Sequence, residues 1–236
     1  MDLFNKAVTL CKSSSVKKRI LAINILSQLG SGQRPFVRQS SKLYFELLSK
    51  ENNKKVIEAL LYAVGHLNSK LTSDQAFRLC QFFDSGSEDV RVALTFALGE
   101  IQQKKVYEVL VTLSNDRSKT VRDWATFRLA QGKGDSKMIR DALFTRVFDA
   151  SYDVKMEAIV GLAKRKDNRC RSLIELELAK GNFGDLVFEA ISNLRDRTYL
   201  APLSAVLSEA RTDHSVDKNW LLKLTTLVNE LKSKSP

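Results

Sequence analysis

The 236-residue sequence predicts an all-α protein, an α-α superhelix (solenoid) of about seven helix pairs. A segment returns in altered form roughly every 33 residues, most clearly at 90–99, 121–130 and 154–163, and such a period indicates one supersecondary unit stacked on copies of itself. Apolar residues at offsets zero, four and eight of each copy form one face of a helix. Capping residues stand three positions before offset zero in five copies.

We name the helix that carries this recurring segment the B helix of its copy. The offset-zero residues are Leu21, Val56, Val90, Val121, Val154, Leu186 and Trp220. The five capping residues, whose side-chain oxygens can accept from the first turn, are Asn53, Ser87, Ser118, Ser151 and Asp217. Ser13, Ser14 or Ser15 is expected to cap the first B helix and Asn182 the sixth. The B helices are thus predicted to start near residues 18, 53, 87, 118, 151, 183 and 217.

Shorter apolar-periodic stretches between the B helices predict the A helices. They cover 35–48, 74–83, 106–113, 137–148, 172–179 and 202–207. Gly30, Gly65 and Gly99, all at offset nine, are expected near helix ends. Because no stretch has the composition of a linker, we expect a single repeat domain over 1–236, with a frayed tail at 232–236.

Composition narrows the class of protein. The formal charge of +11 favours acidic partners, or else serves to keep the protein in solution. No apolar run is long enough to span a membrane, and the N-terminal residues do not form a secretory signal, so no membrane partner is expected. Cys11, Cys80 and Cys170 are interpreted as reduced, buried thiols of a cytoplasmic protein.

The sequence has no motif that indicates catalysis. His66 and His214 have no Cys or His at metal-binding spacing, which predicts no metal site. Phosphate-binding loops and nucleophile motifs are absent; 30–32 and 132–134 are interpreted as turns. We therefore expect no cofactor and no catalytic residue.

The copy Val90–Gly99, of pattern Val-Arg-x-x-Ala-x-x-Ala-Leu-Gly behind a capped turn, resembles the HEAT repeat. It is more similar still to the short bacterial HEAT-like type, also found in phycobilin lyase subunits. The resemblance implies a scaffold or binding array, and it implies an internal ladder from basic residues at offset one, namely Arg91, Arg122 and Lys155. The candidate acidic partners lie in turns of neighbouring copies and are Asp84, Asp89, Asp116, Asp149 and Asp153.

The resemblance also leaves two enzymatic alternatives open. Some DNA glycosylases that remove alkylated bases are built from HEAT-like repeats, and Asp123 and Trp124 near Arg128 are a faint match to their carboxylate and aromatic residues. A phycobilin lyase-like chaperone is the weaker alternative, since it depends on the repeat type alone.

The B helices are expected to line the concave surface, and offsets three, seven and ten of each form one stripe. Alanines in copies two and three are expected to leave a shallow trough there. Trp124 and Arg128 are residue types enriched at binding hot spots. The sequence therefore predicts a non-enzymatic scaffold that binds another protein through this stripe. Its candidate residues are Asn24, Gln28, His66, Glu100, Trp124, Arg128, Glu157, Glu189 and Asn193.

A basic rim is predicted beyond the ends of the B helices, with nucleic acid as the alternative partner. The other interpretation of these cations is that they complement helix dipoles at C-termini. The rim residues are Lys104, Lys105, Lys133, Lys164, Arg165, Lys166, Arg195 and Arg197, with Lys70 in the same phase.

Overall fold

The computed structural model describes residues 2–29, 36–67, 71–181, 183–213 and 215–233. Over these ranges the chain forms fourteen α-helices and no strand, which confirms the all-α prediction. Two 3₁₀ turns, Asn168–Cys170 and Arg197–Tyr199, precede the eleventh and thirteenth helices. None of the helices within these ranges is long and apolar enough to cross a membrane.

The chain divides into two compact units, Met1–Gly134 and Asp135–Pro236, each of which consists of alternating A and B helices. The helices of the first unit are α1 Asp2–Leu10, α2 Val16–Gln28, α3 Val37–Leu48, α4 Lys54–Gly65, α5 Ser73–Cys80, α6 Glu88–Leu98, α7 Lys104–Leu113 and α8 Lys119–Gln131. Those of the second unit are α9 Lys137–Arg146, α10 Tyr152–Lys164, α11 Arg171–Leu178, α12 Asp185–Leu194, α13 Leu200–Ala210 and α14 Lys218–Ser233. The even-numbered helices are the B helices, and α1 is an A helix that the sequence analysis did not predict.

The predicted capping residues lie at the starts of the B helices. Ser118 accepts from the Val121 N–H at 3.4 Å, and Asp217 accepts from the Trp220 N–H at 2.8 Å. The N-caps of α2 and α12 are Ser15 and Gly184; Asn182, the predicted sixth cap, lies outside the described residues. The repeat copies can therefore be aligned by the N-caps of their B helices.

Alignment by caps corrects the phase of two copies. Offset zero of the first copy is Lys18, three residues before Leu21, because Ser15 caps α2. In the sixth copy it is Val187, because Gly184 caps α12. A shift of three residues is nearly one helical turn and keeps much the same face apolar, so apolar periodicity alone did not detect the first error.

The core of each unit lies between stacked B helices and the A helices that flank them. In the first unit α2, α4, α6 and α8 pack side by side in sequence, and in the second α10, α12 and α14 do so. In the copies that start at Val56, Val90, Val121 and Val154, the residues at offsets zero, four and eight are all buried, as Val90, Leu94 and Leu98 of α6 illustrate. This packing fixes which side of each B helix remains open to solvent.

Gly65 and Gly99 lie at helix ends, as predicted, but for a different reason. Gly65 is the last residue of α4 and Gly99 is the C-cap of α6, and neither has the positive φ of a left-handed cap. A Cβ atom on Gly65 would collide with the Phe96 ring, and one on Gly99 would lie 2.7 Å from Cδ of Arg128. Each glycine thus admits a large side chain of the next B helix. Gly30 lies outside the described residues.

The predicted internal ladder contains a buried ion pair between Arg91 of α6 and Asp116, which precedes α8. The Arg91 guanidinium donates to Asp116 at 2.7 and 2.9 Å and to the Ser85 carbonyl at 2.6 Å. Asp116 also accepts from the Ser118 N–H at 2.8 Å. Burial acts to raise the pKa of Asp116, but these donors outweigh it and hold the pKa below its usual value. One arginine therefore joins the turns before two successive B helices.

The same geometry recurs at Arg19 of α2, which the shifted alignment of the first copy concealed. Arg19 donates to Glu51 at 2.9 and 3.1 Å and to the Ser13 carbonyl at 2.9 Å. Glu51 in turn accepts from the Asn53 N–H at 2.9 Å. The first unit thus carries at least two ladder pairs.

Arg122 and Lys155, the other two predicted ladder residues, make different contacts. Arg122 donates to the Asp116 carbonyl at 3.0 Å. Lys155 pairs with Glu177, a buried residue of α11, and not with a predicted turn aspartate. The prediction that Lys155 pairs with a turn aspartate was wrong. Glu51 and Asp116 each stand two positions before the cap of the next B helix, but no acid stands two positions before the Gly184 cap.

Candidate functional site

The solvent-facing side of the B helices in the first unit runs through offsets six and ten. Tyr62 and His66 are exposed on α4, Phe96 is partly exposed and Glu100 exposed in the α6 copy, and Phe127 is partly exposed on α8. The expected trough at offsets three and seven does not exist, since its alanines are buried where successive B helices pack. They are Ala59, Ala63, Ala93 and Ala97.

Aromatic side chains of three consecutive B helices lie on this side. The ring of Phe96 lies 5.7 Å from that of Tyr62 and 5.4 Å from that of His66. On α8, Trp124 and Phe127 contact edge to face at 5.9 Å. With Arg128 they form what we call the aromatic–arginine cluster, whose members are Tyr62, His66, Phe96, Trp124, Phe127 and Arg128.

Arg128 lies at the centre of the cluster. Its guanidinium carbon is 5.4 Å from the ring centre of Phe96, 5.9 Å from that of Trp124 and 5.3 Å from that of Phe127. Its Nε is buried and has no hydrogen-bond partner among the described residues. Burial lowers the pKa of Arg128, and the charge of Glu100 opposes this effect only in part. The cation is held by rings and not by a carboxylate.

The predicted stripe is therefore only partly brought together. His66, Trp124 and Arg128 belong to the cluster and Glu100 borders it, while Asn24 and Gln28 are exposed on α2. The remaining stripe residues are partly exposed on helices of the second unit and are Glu157, Glu189 and Asn193.

Sequence reasoning missed Tyr62, Phe96 and Phe127. All three occupy offset six, and three aromatic residues at one offset of consecutive copies are a visible signal. These residues were overlooked because the stripe was placed at offsets three, seven and ten. The packing of neighbouring helices decides which offset faces solvent. The sequence of a single copy does not reveal that packing.

The predicted basic rim is interrupted in the structure. Arg165 is buried and donates to the Gly161 carbonyl at 2.8 Å, so it is not a rim residue. Lys166 donates to the Asn193 and Leu194 carbonyls, the latter at 3.0 Å, and complements the end of α12. Lys166 is itself exposed, and the other exposed rim residues are Lys104, Lys105, Lys133, Lys164, Arg195 and Arg197. Lys70 lies outside the described residues.

The dipole interpretation is wrong for part of this rim. Lys104 and Lys105 stand in the first turn of α7, where a cation opposes the helix dipole. Lys105 instead pairs with Glu108 at 3.3 Å. The rim cations therefore have no common structural role.

No arrangement within the described part of the chain indicates catalysis or metal binding. No group of three His, Cys, Asp or Glu side chains there could hold a metal ion. The three cysteines are buried, and burial raises the pKa of Cys11 and of Cys170 to about 11. Such thiols are poor nucleophiles. His214 lies outside the described residues.

Stacked helix pairs with capped B helices define a helical-repeat fold, consistent with the HEAT-like repeats that the sequence predicts. The chain is 34% identical to Protein YibA of Escherichia coli K12, and likewise to YibA of strain O157:H7, over 146 residues. This match covers 62% of the chain and 49% of YibA, so the chain spans about half the length of the curated relatives it matches. No protein-family model matches the sequence.

Solved structures agree on the fold. The crystal structure of E. coli YibA superimposes with a TM-score of 0.74 at 24% identity, covering 99% of this chain and 82% of that one. A designed armadillo repeat protein in complex with the peptide (KR)4 gives a TM-score of 0.52 at 18% identity, covering 98% of this chain and 100% of that one. At these identities the likeness shows the helical-repeat fold and nothing finer.

Proposed function

We propose that this protein is a non-enzymatic scaffold that binds an extended segment of another protein across the B helices of its first unit. The observation that carries the proposal is the aromatic–arginine cluster. Trp124 is 42% exposed and Tyr62 37% exposed, although both are large apolar side chains. Trp, Tyr and Arg are the residue types that dominate protein interfaces, and here they lie together.

The dimensions of the surface favour an extended chain. Packed helices lie roughly 8–10 Å apart, and an extended chain rises about 3.3 Å per residue. A segment that crosses α4, α6 and α8 would therefore advance about three residues from one B helix to the next. About every third side chain of the segment would then lie against an aromatic residue. The designed armadillo repeat protein that shares this fold was solved with a bound peptide, which supports the same mode of binding here.

A random-sequence peptide library displayed on phage tests the proposal with the full chain as bait. Peptides selected on the protein should bind Trp124→Ala at least about tenfold more weakly, because a hot-spot tryptophan contributes that much. The matched control is Phe77→Ala, which removes a 63% exposed aromatic residue from A helix α5 of the same unit. Isothermal titration calorimetry of synthesised peptides measures both.

Two results would contradict the proposal. One is a selection that yields no peptide sensitive to Trp124→Ala. The other is an equal loss of binding in Phe77→Ala, which would move the binding surface to the A helices. Equal thermal melting of both variants and the parent protein confirms that the fold is retained.

A further inference from the structure

We infer that Arg128 is the receptor for a carboxylate on the bound segment, so that the face selects an acidic side chain flanked by apolar ones. The inference rests on the proposed function and names the chemistry of its partner. It starts from a cation that the described part of the chain leaves without an anion.

A half-buried guanidinium without an anion is costly for the free protein. Arg128 is only partly exposed, and its Nε is shielded from solvent without a hydrogen-bond acceptor. Glu100 is near enough to influence Arg128 electrostatically but forms no hydrogen bond with Nε. A buried donor without an acceptor loses its hydration and gains nothing in return. A carboxylate delivered by a ligand would satisfy it.

Several features of the chain hold Arg128 in this place. Three rings from α6 and α8 surround the guanidinium. Its stem lies against Gly99, where any larger residue would collide with the Cδ, Nε and Cζ atoms. A cation that is positioned before its ligand arrives loses less conformational freedom on binding. Planar guanidinium and carboxylate groups also pair through two parallel hydrogen bonds.

The surrounding charges favour a single carboxylate over a chain of phosphates. Glu58 of α4, Asp89 of α6 and Glu100, which follows α6, would repel a polyanion. Lys55, one of two lysines in the first turn of α4, is already paired with Asp89 at 2.6 Å and Glu58 at 3.2 Å. One carboxylate at Arg128, with apolar neighbours against Trp124 and Phe127, fits this pattern.

The test extends the peptide selection with variants of Arg128. Selected peptides should carry an Asp or Glu at one shared position. Arg128→Gln should weaken their binding roughly tenfold or more, and replacing the peptide's acid by its amide should weaken binding to the parent protein by a similar factor. The two changes together should cost little more than either alone, because they remove the same contact. Arg38→Gln, which removes an exposed arginine from α3, is the matched control.

Arg128→Lys keeps the test decisive if Arg128→Gln does not fold. It retains the charge but not the planar donor pair, and it should lower affinity for acidic peptides several-fold while leaving amide peptides unaffected.

The outcomes separate this inference from the proposed function. Peptides that require Trp124, carry no shared acid and bind Arg128→Gln normally would overturn the carboxylate assignment and leave the proposed function standing. Displacement of selected peptides by duplex DNA, dependent on Arg128, would also overturn it. A selection with no dependence on Trp124 would overturn both.

Discussion

At the scale of single residues, Arg19 and Arg91 show how the repeat copies are joined. Each lies four positions after a B-helix cap and reaches a carboxylate two positions before the next cap. In the second copy these two positions hold Ile57 and Ser85, so the acid is absent where the base is absent. In these three copies the base and the acid are present or absent together, which fits the high cost of burying one charge without the other; Lys155, whose copy lacks the turn acid, pairs with Glu177 instead.

We expect Arg91→Ala to lower the free energy of unfolding by about 3 kcal/mol or more. The Arg91 and Asp116 side chains are only 6% and 10% exposed, and removal of the arginine leaves Asp116 buried without its partner. Urea titration followed by circular dichroism measures the change. The control is Lys105→Ala, which breaks the exposed pair with Glu108 and should cost under about 1 kcal/mol. A loss in Arg91→Ala as small as that of the control would refute the structural role of the pair.

At the scale of helices, glycine governs how closely one B helix approaches the next. A glycine within a helix normally costs about 1 kcal/mol relative to alanine. At Gly65 we expect glycine to be more stable than alanine, because the Phe96 ring of α6 occupies the space that a Cβ atom would need. The glycine thus positions a member of the aromatic–arginine cluster as well as the helix pair.

Gly65→Ala should therefore destabilise the protein by roughly 1–3 kcal/mol, as overpacking of a close contact does. The same substitution in a Phe96→Ala background should be neutral or stabilising, because the collision is gone. Gly86→Ala, where no atom lies within 4 Å of the added Cβ, serves as the control. Thermal melting of the four variants checks the expectation, which fails if Gly65→Ala raises the melting temperature in the parent protein.

The starts of the B helices could be predicted from sequence because the capping residues that mark them act locally. The caps Asn53, Ser118 and Asp217 act within their own first turn, so one copy suffices to find them. The phase of the first copy was missed because a three-residue shift keeps much the same face apolar. Phe96 and Phe127 were missed, and Arg165 misplaced, because exposure depends on the neighbouring helix, which a single repeat does not encode.

At the scale of the whole molecule, the charge of +11 is divided among many local roles. Arg91 forms a buried ion pair, Arg19 forms a partly buried one, and Lys166 complements the end of a helix. The remaining exposed cations are interspersed with acids, as at Lys105 and Glu108. A surplus distributed in this way gives long-range attraction to polyanions without a continuous track for a phosphate backbone.

Duplex DNA should accordingly bind weakly, and the binding should disappear as salt approaches physiological concentration. Fluorescence anisotropy of a labelled duplex, titrated at low and at physiological salt, measures this, and Trp124→Ala should not alter it because the attraction is spread over the surface. Reversing one exposed cation, as in Lys133→Glu, should weaken low-salt binding only slightly. Tight binding at physiological salt that depends on Lys133 would instead show that the exposed cations form a specific nucleic-acid site. The protein would then have a nucleic-acid site in addition to the proposed peptide-binding surface. DNA binding should depend on salt and not on Trp124, whereas peptide binding should depend on Trp124. These two measurements on one protein preparation distinguish the two classes of partner.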